Sequence, residues 1–372
     1  MVELRVGDFE AFFRAPFAAY GPDSLYVSPM KGDLKAALSK TKNPLFRGQS
    51  DLTFFTAHRG EELLGRITTH VHAESNATFN TNHAYFGYFD CADDPEAAAA
   101  LLGAAEDWAK ANGFSVIAGN FNLTAMQQVG VVTDGFENAP YTDQIYSPPH
   151  ICKLLEASGY QREFPMATFE TRLDANTDPQ SVEAIERTVF DDPDFEFAPI
   201  TRRTLPDRLE DARKILNESF AANPHFVPVS KEEYAFQSKD MKWIMDPRIS
   251  AVLHYKGRPA ACTICIPDLN PLMKAAGSRV GWRFPFQFLA HRVHRKRAVL
   301  IYTGVIPELQ GKGVNPLLLH RVTSAMRNAG YEVCGNTWIG DTNFASLRQR
   351  EKMNAVPLHR LHIYRKSLDV AR

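Results

Sequence analysis

Cysteine is scarce and odd in number. Five residues in 372, at positions 91, 152, 262, 265 and 334, argue against a disulfide framework. The one close pair, Cys262 and Cys265, lies inside the apolar run 260–266 with no second pair nearby, so a zinc or redox site is the minor reading. Neither charge is in excess: 42 Lys and Arg against 43 Asp and Glu leave a formal charge of −1. No global field favours nucleic acid, and any anion site must be local. No apolar run approaches the roughly eighteen residues of a membrane-crossing helix. The opening MVELRVGDFEAFF has neither a basic nor an apolar leader region. A cytoplasmic protein is expected, with peripheral contact at the cytoplasmic face of the inner membrane left open.

What is present is ordinary globular material, 44% hydrophobic and 23% charged. The chain is long for one core, so two domains are expected, 1–175 and 196–372, joined by a connecting helix or linker over 176–195. In the first, 9–20 reads as a helix and 83–91 (HAYFGYFDC) as a half-buried strand. Asp93-Asp94-Pro95-Glu96 opens a long Ala/Leu-rich helix that stops at Asn112-Gly113. A strand at 114–119, a helix over 150–157 and a strand at 166–172 follow. In the second, 197–202 reads as the opening strand and 208–220 as an amphipathic helix.

The second half also holds the stretch around which the rest is arranged. Residues 298–306 form a β-branched and aromatic strand that Pro307 ends. Gln310-Gly311-Lys312-Gly313-Val314-Asn315 then turns the chain. Leu317, Leu318, Leu319, Val322 and Met326 supply the buried face of the next helix. A glycine loop opening a helix aims several backbone N–H groups at one point, with the positive dipole end behind them, and so suits a diphosphate. The P-loop pattern fails because Val314 follows Gly313. The dinucleotide pattern fails because Leu317-Leu318 occupy the region of its third glycine.

Val305 through Val314 resembles the acyl-CoA loop, Q/R-x-x-G-x-G/A, of the GNAT acyltransferases. Residues 343–355 resemble that family's N-x-x-A/S-x-x-L-Y-E-K-x-G-F helix, and 331–338 reads as the strand between. Two positions depart: Asn315 replaces the usual Gly or Ala, and Arg350 stands at the tyrosine of L-Y-E-K. The whole-chain layout is similar to tandem GNAT proteins of the bacterial ceramide synthase-like group. The resemblance implies an α/β fold of two tandem GNAT-like domains, each a mixed central sheet flanked by helices. It implies acyl-CoA as co-substrate, with no permanently bound cofactor and no metal. Its acyl-CoA contacts would be Val305, Ile306, Gln310, Gly311, Lys312, Gly313, Val314, Asn315, Asn343 and Ser346. The implied activity is N-acyl transfer, with a long-chain sphingoid amine as the favoured acceptor. A small polar amine, or acyl-CoA binding without catalysis, are the alternatives. A transferase using aminoacyl-tRNA shares the layout, but the near-neutral charge argues against a nucleic-acid partner.

Acyl transfer to an amine requires that the ammonium lose a proton, that the oxyanion meet donors, and that the leaving thiolate be dealt with. Backbone N–H groups after Val305 are candidates for the donors. Tyr302 and Tyr364 are candidate acids, each equally readable as a core tyrosine. Asp268, Glu308, His225 and Asp341 are candidate bases. In the first half, Leu154 through Tyr160 resembles the end of the family's L-Y-E-K helix. Asp90, Asp93 and Asp94, however, stand where a diphosphate would sit and repel it, so this half is expected to have lost acyl-CoA binding. The insertion 268–297 sets Trp282, Phe284, Phe286 and Phe288 beside the basic run 291–297. That mixture suits anionic headgroups, making 281–297 the candidate membrane contact, or an acyl channel. The plainer reading is a packed loop with a solvated basic edge.

Overall fold

The computed structural model describes residues 1–47, 51–126, 128–173, 192–221 and 226–369. Most of the expected linker, with its helix at 179–190, and His225 lie outside the described residues. The chain divides into two compact units that interleave in sequence. The first comprises Met1–Ala167, Asn270–Phe288 and Leu358–Arg372. The second comprises Thr168–Leu269 and Leu289–Pro357.

The first unit contains β1 (Glu3–Val6), β2 (Leu52–Arg59), β3 (Glu62–His70), β4 (His83–Cys91), β5 (Val116–Gly119) and β6 (Val131–Asp134). To these it adds the first half of β7 (Gln161–Arg172) and most of the last strand, β13 (Val356–Ser367). The sheet runs β1-β2-β3-β4-β5-β13-β7, with β6 also on β13. β1 to β4 form an antiparallel meander, and β4 pairs β5 in parallel. Its helices are α1 (Phe9–Tyr20), α2 (Lys31–Ala37), α3 (Ala73–Phe79), α4 (Pro95–Ala111) and α5 (Pro149–Ala157). α4 begins as its sequence dictates: the Asp94 carboxylate accepts from the Ala97 N–H at 3.0 Å, and Pro95 takes the first position, where its missing N–H costs nothing. Leu101, Leu102 and Ala105 of α4 pack on Ile67, Phe86 and Ile117 of the sheet.

The second unit holds the end of β7, β8 (Phe195–Phe197), β9 (Ala251–Tyr255), β10 (Arg258–Pro267), β11 (Arg297–Val305) and β12 (Val333–Gly340). Its order is β7-β12-β11-β10-β9-β8. The opening strand expected at 197–202 is shorter and earlier, because Pro199 has no N–H for a ladder. Helices α6 (Leu205–Ser219), α7 (Lys231–Gln237) and α8 (Met241–Ile244) precede β9. In the insertion, α9 (Asn270–Ala275) belongs to the first unit: Asn270 Nδ2 donates to the Pro140 carbonyl at 2.9 Å, and Ser278 Oγ to that of Ser28 at 2.7 Å. α10 (Phe284–His294) follows, then α11 (Val314–Asn328) and α12 (Phe344–Lys352).

Each half-sequence therefore does not make its own sheet. Residues from Leu358 onward, read with the second domain, lie in the first unit, where Tyr364 pairs with Gly119 and Leu361 with Val132. Cys262 and Cys265 diverge: one packs with Ala212 and Ile215, the other on the opposite face with Leu319, Met326 and Cys334. Burial pushes the Cys262 thiol up to about 12 and raises Cys265 as well, so the pair is two core residues.

Candidate active site

β11 and β12 run parallel and stay paired for four residues, Arg297–Leu300 against Val333–Asn336. Both strands then continue, but the ladder does not. The cause lies in β11. Against consecutive Ile264 and Cys265 of β10 it sets Tyr302 and Leu300, leaving Ile301 as an extra residue. A bulge of this kind bends the strand and re-aims its edge. Beyond it the Thr337 hydroxyl donates to the Ile301 carbonyl at 2.7 Å, a side chain standing in for a main-chain rung. The result is a fork. The Ile306 N–H donates to Ala260 at 2.9 Å, away from the fork, which removes it as the oxyanion donor expected after Val305. Strand alternation turns the N–H groups of Thr303 and Val305 toward the open edge instead.

Pro307–Leu309 makes one tight turn, and the loop follows. Gly311 and Gly313 both take left-handed backbone, φ +76° and +82°, which a side chain would resist. Leu309 and Gln310 donate within the turn, and Lys312 donates to Leu309 at 3.3 Å. The first helical bond of α11 runs from Leu317 to Gly313 at 3.2 Å. The N–H groups of Gly311, Gly313, Val314 and Asn315 are therefore unspent among the described residues and gather at the positive end of a 15-residue helix. Pro316 sits in the first turn. Asn315 does not crowd this cradle, because its Oδ1 lies 3.1 Å from Thr303 Oγ1, which itself meets Thr263 Oγ1 at 2.9 Å. Gln310 Nε2 donates to the Val305 carbonyl at 3.0 Å, holding the loop against the strand end. Lys312 is exposed, and Val305 and Ile306 contribute main chain only, their side chains being buried.

The remaining candidates are placed less suggestively. Asn343 Oδ1 accepts from the Ser346 N–H at 3.1 Å and so caps α12; the cap occupies both groups. Glu308 pairs at the surface with Arg258 at 2.7 Å. Asp268 is buried against Arg297 Nε at 2.8 Å, with Glu170 on the same arginine. Tyr364 is in the first unit, its hydroxyl 2.8 Å from Glu156 and 3.1 Å from Arg162 Nε. Tyr302 touches the hydroxyl of Tyr234, and burial holds both phenols well above their ordinary range. Two further residues meet at the fork: Asn336, given no role in the sequence, and Arg350, marked there only as the departure at the family's tyrosine. Arg350 is 4% exposed and donates through Nη1 to Asn336 Oδ1 at 3.0 Å, at the last paired position before the strands part. A cavity of the second unit, between 197–200, 247–252 and 320–328, includes none of these residues. A thread lying along a strand edge needs a groove rather than a closed chamber.

The corresponding place in the first unit is sealed. β4 and β5 pair only from His83–Tyr85 against Val116–Ala118. Beyond that, Asn122 Oδ1 accepts from the Tyr88 N–H at 2.7 Å and Asn120 Oδ1 from the Phe89 N–H at 3.2 Å. Two side-chain amides thus occupy the strand edge that the second unit leaves open. Arg59 binds Asp94 and Glu96 at 2.6 and 2.7 Å, so the anion position at the start of α4 is filled by carboxylates already paired.

No protein-family model matches the chain. It is 25% identical to Protein YghO of Escherichia coli, over 98% of this chain and 94% of that one. It is 21% identical to the bacterial ceramide synthase of Caulobacter vibrioides, over 97% and 95%. Among solved structures, a tandem GNAT protein from the clavulanic acid biosynthesis pathway superposes with a TM-score of 0.59 at 12% identity, covering all of both chains. The fold is the tandem GNAT fold.

Proposed function

We propose that this chain, built on a tandem GNAT fold, is an acyl-CoA-dependent N-acyltransferase whose second unit holds the nucleotide and whose β11–β12 fork holds the thioester. One observation carries the reading: an open strand edge beside a glycine loop with unspent N–H groups. A diphosphate answers the loop, and an extended arm bearing a polar chain of amides answers the edge. The N–H groups of Thr303 and Val305 would then hold the amide carbonyls of that arm.

We take the acceptor to be a long-chain amine of the sphingoid type. Support comes from the near-full-length likeness to the Caulobacter protein of that name and from the surface of α10. Phe286, Leu289 and Val293 are spaced by three and four residues on one face of α10 and are 62–70% exposed, and Trp282, in the turn before the helix, is 77% exposed. Arg283, Arg292, His294 and Lys296 accompany them. An apolar stripe with basic neighbours suits the headgroup layer of an anionic membrane, where two greasy substrates would be found.

The test is turnover of palmitoyl-CoA and acetyl-CoA at matched concentration, each with sphinganine and with glucosamine. Amide formed from palmitoyl-CoA and sphinganine is the expected result. A clear preference for acetyl-CoA with the polar amine would defeat the lipid acceptor while leaving the transferase. A rise in Tm with acyl-CoA but no amide from any amine would reduce the protein to an acyl-CoA binder.

A further inference from the structure

Among the described residues, Arg350 is an arginine without a counter-ion. It lies in α12, 4% exposed, and its sole hydrogen bond among the described residues is the one to Asn336 Oδ1. Its Nε is buried and donates to nothing. Burial lowers its own pKa, and the ionisable groups that act on its charge are the thiols of Cys334 and Cys265, both held neutral by burial, Cys334 pushed up to about 12. A guanidinium in such surroundings is expensive to keep, because a buried charge is tolerated when paired and strongly unfavourable when it is not. The bland explanation is an arginine that merely props Asn336. One neutral amide, however, satisfies one of five N–H donors and supplies no opposite charge.

The position says what could complete it. A ligand gripped at Gly311–Gly313 and laid back along the open edge passes Val305 and Thr303 and meets the closing of the fork at Leu300 and Asn336. The strand from Val305 to Ile301 spans about 13 Å, at roughly 3.3 Å per residue. Its reacting end therefore comes to the residue that Arg350 holds. We propose that Arg350 is the group that stabilises the sulfur of the leaving thiolate, presenting its unspent N–H groups where the thioester is cleaved. The inference rests on the transferase reading above. In the step, the amine nitrogen bonds to the thioester carbonyl carbon, and the resulting oxyanion collapses with cleavage of the C–S bond. The electron pair goes to sulfur, the proton shed by the amine nitrogen goes to water, and the thiolate later regains one from water. Arg350 keeps its own proton throughout and acts as a hydrogen-bond donor and a fixed positive charge. The same site that lacks a phenolic acid thereby dispenses with one: the sulfur leaves as a thiolate and needs no proton at that moment.

The decisive measurement needs no turnover. Free CoA, with its thiol, is bound to the full chain, and thiol ionisation is followed by ultraviolet absorbance across a pH titration. A nearby positive charge should lower the bound thiol's pKa by about one unit or more. In Arg350→Gln, which keeps a donor for packing but removes the charge, the bound thiol should return to the value of free CoA, while CoA binding itself stays within about threefold. Arg350→Lys should restore part of the shift. A bound thiol that titrates as in free solution in the unmodified protein overturns the proposal even if the variants fail to fold. An equal shift in wild type and Arg350→Gln overturns it as well. Failure of the unmodified protein to bind CoA at all is a different outcome: it removes the transferase reading, and with it the role given to Arg350.

Discussion

Gly313 is the residue on which the cradle turns. It caps α11 with φ +82°, a region where a Cβ costs about 1–2 kcal/mol. Gly313→Ala should lower unfolding stability by about that amount. Because relaxing φ would re-aim the N–H groups of Gly313 and Val314, it should also weaken CoA binding several-fold; calorimetric titration beside a denaturation curve reads both. His70 makes a pH prediction in the first unit. It is fully buried on β3, Nε2 lies 2.9 Å from the Leu123 carbonyl, and burial depresses its pKa from 6.5 to about 3. The folded state keeps it neutral, whereas the unfolded chain takes a proton near 6.5, so stability should decline as pH falls from there toward 3. His70→Gln keeps a donor for Leu123 and removes the titration; acid unfolding curves should be flatter over that window. If they are not, another group sets the acid limb. The sequence exposed glycines readily, since Gly311 and Gly313 sit where a tight loop must be. The likeness marked Arg350 as standing at the family's tyrosine, but nothing in LRQREK shows its burial; only its hydrogen bond to Asn336, which pairs with Leu300, shows that this turn of the helix is pressed into the fork. Nor could spacing show that the carboxylate of Asp268 is spent on Arg297.

At the level of elements, most of the helices and strands were legible because caps and periodicity agree. α1 lies over 9–20 as read, and β4 and α4 begin and end where the alternation of HAYFGYFDC, the Asp94 cap and the Asn112-Gly113 stop put them. α2, α3 and the four-residue strands β1 and β6 are too short for a period to register and take their form from neighbours. α10 was expected only as an aromatic and basic stretch. As a helix with none of its residues buried, it makes an element-level prediction. The double change Phe286→Glu and Leu289→Glu replaces two side chains, 70% and 62% exposed, that support nothing inside. It should leave the melting temperature within about 2 °C, since surface changes usually cost under about 0.5 kcal/mol. Binding to vesicles with an anionic lipid, read by co-sedimentation, should drop at least about tenfold. Unchanged sedimentation would remove the membrane role from this helix.

The whole molecule carries one open fork and one closed one. The closed fork is held by Asn120 and Asn122, and its anion position by Arg59-bound carboxylates. Calorimetric titration should therefore find one CoA per chain, and a stoichiometry of two would show that the first unit opens. The duplicated layout was legible as a repeat of strands and helices, and so were the carboxylates at the start of α4. What the sequence could not reveal is which sheet a given strand joins. β7 and β13 alternate in the same way, and nothing in IYRKS says that it will lie beside Gly119 rather than in the second unit.

The placement of β13 has a consequence for manufacture. The residues that fill the slot between β5 and β7 follow all of the second unit in the chain, so the first unit, although over half of the residues and begun before its companion, emerges with a gap in its sheet. It must wait, with β5 unpaired on one side, until every residue of its companion has been translated; neither unit can be inherited, shuffled or expressed as a module without leaving the other with a missing or orphaned strand.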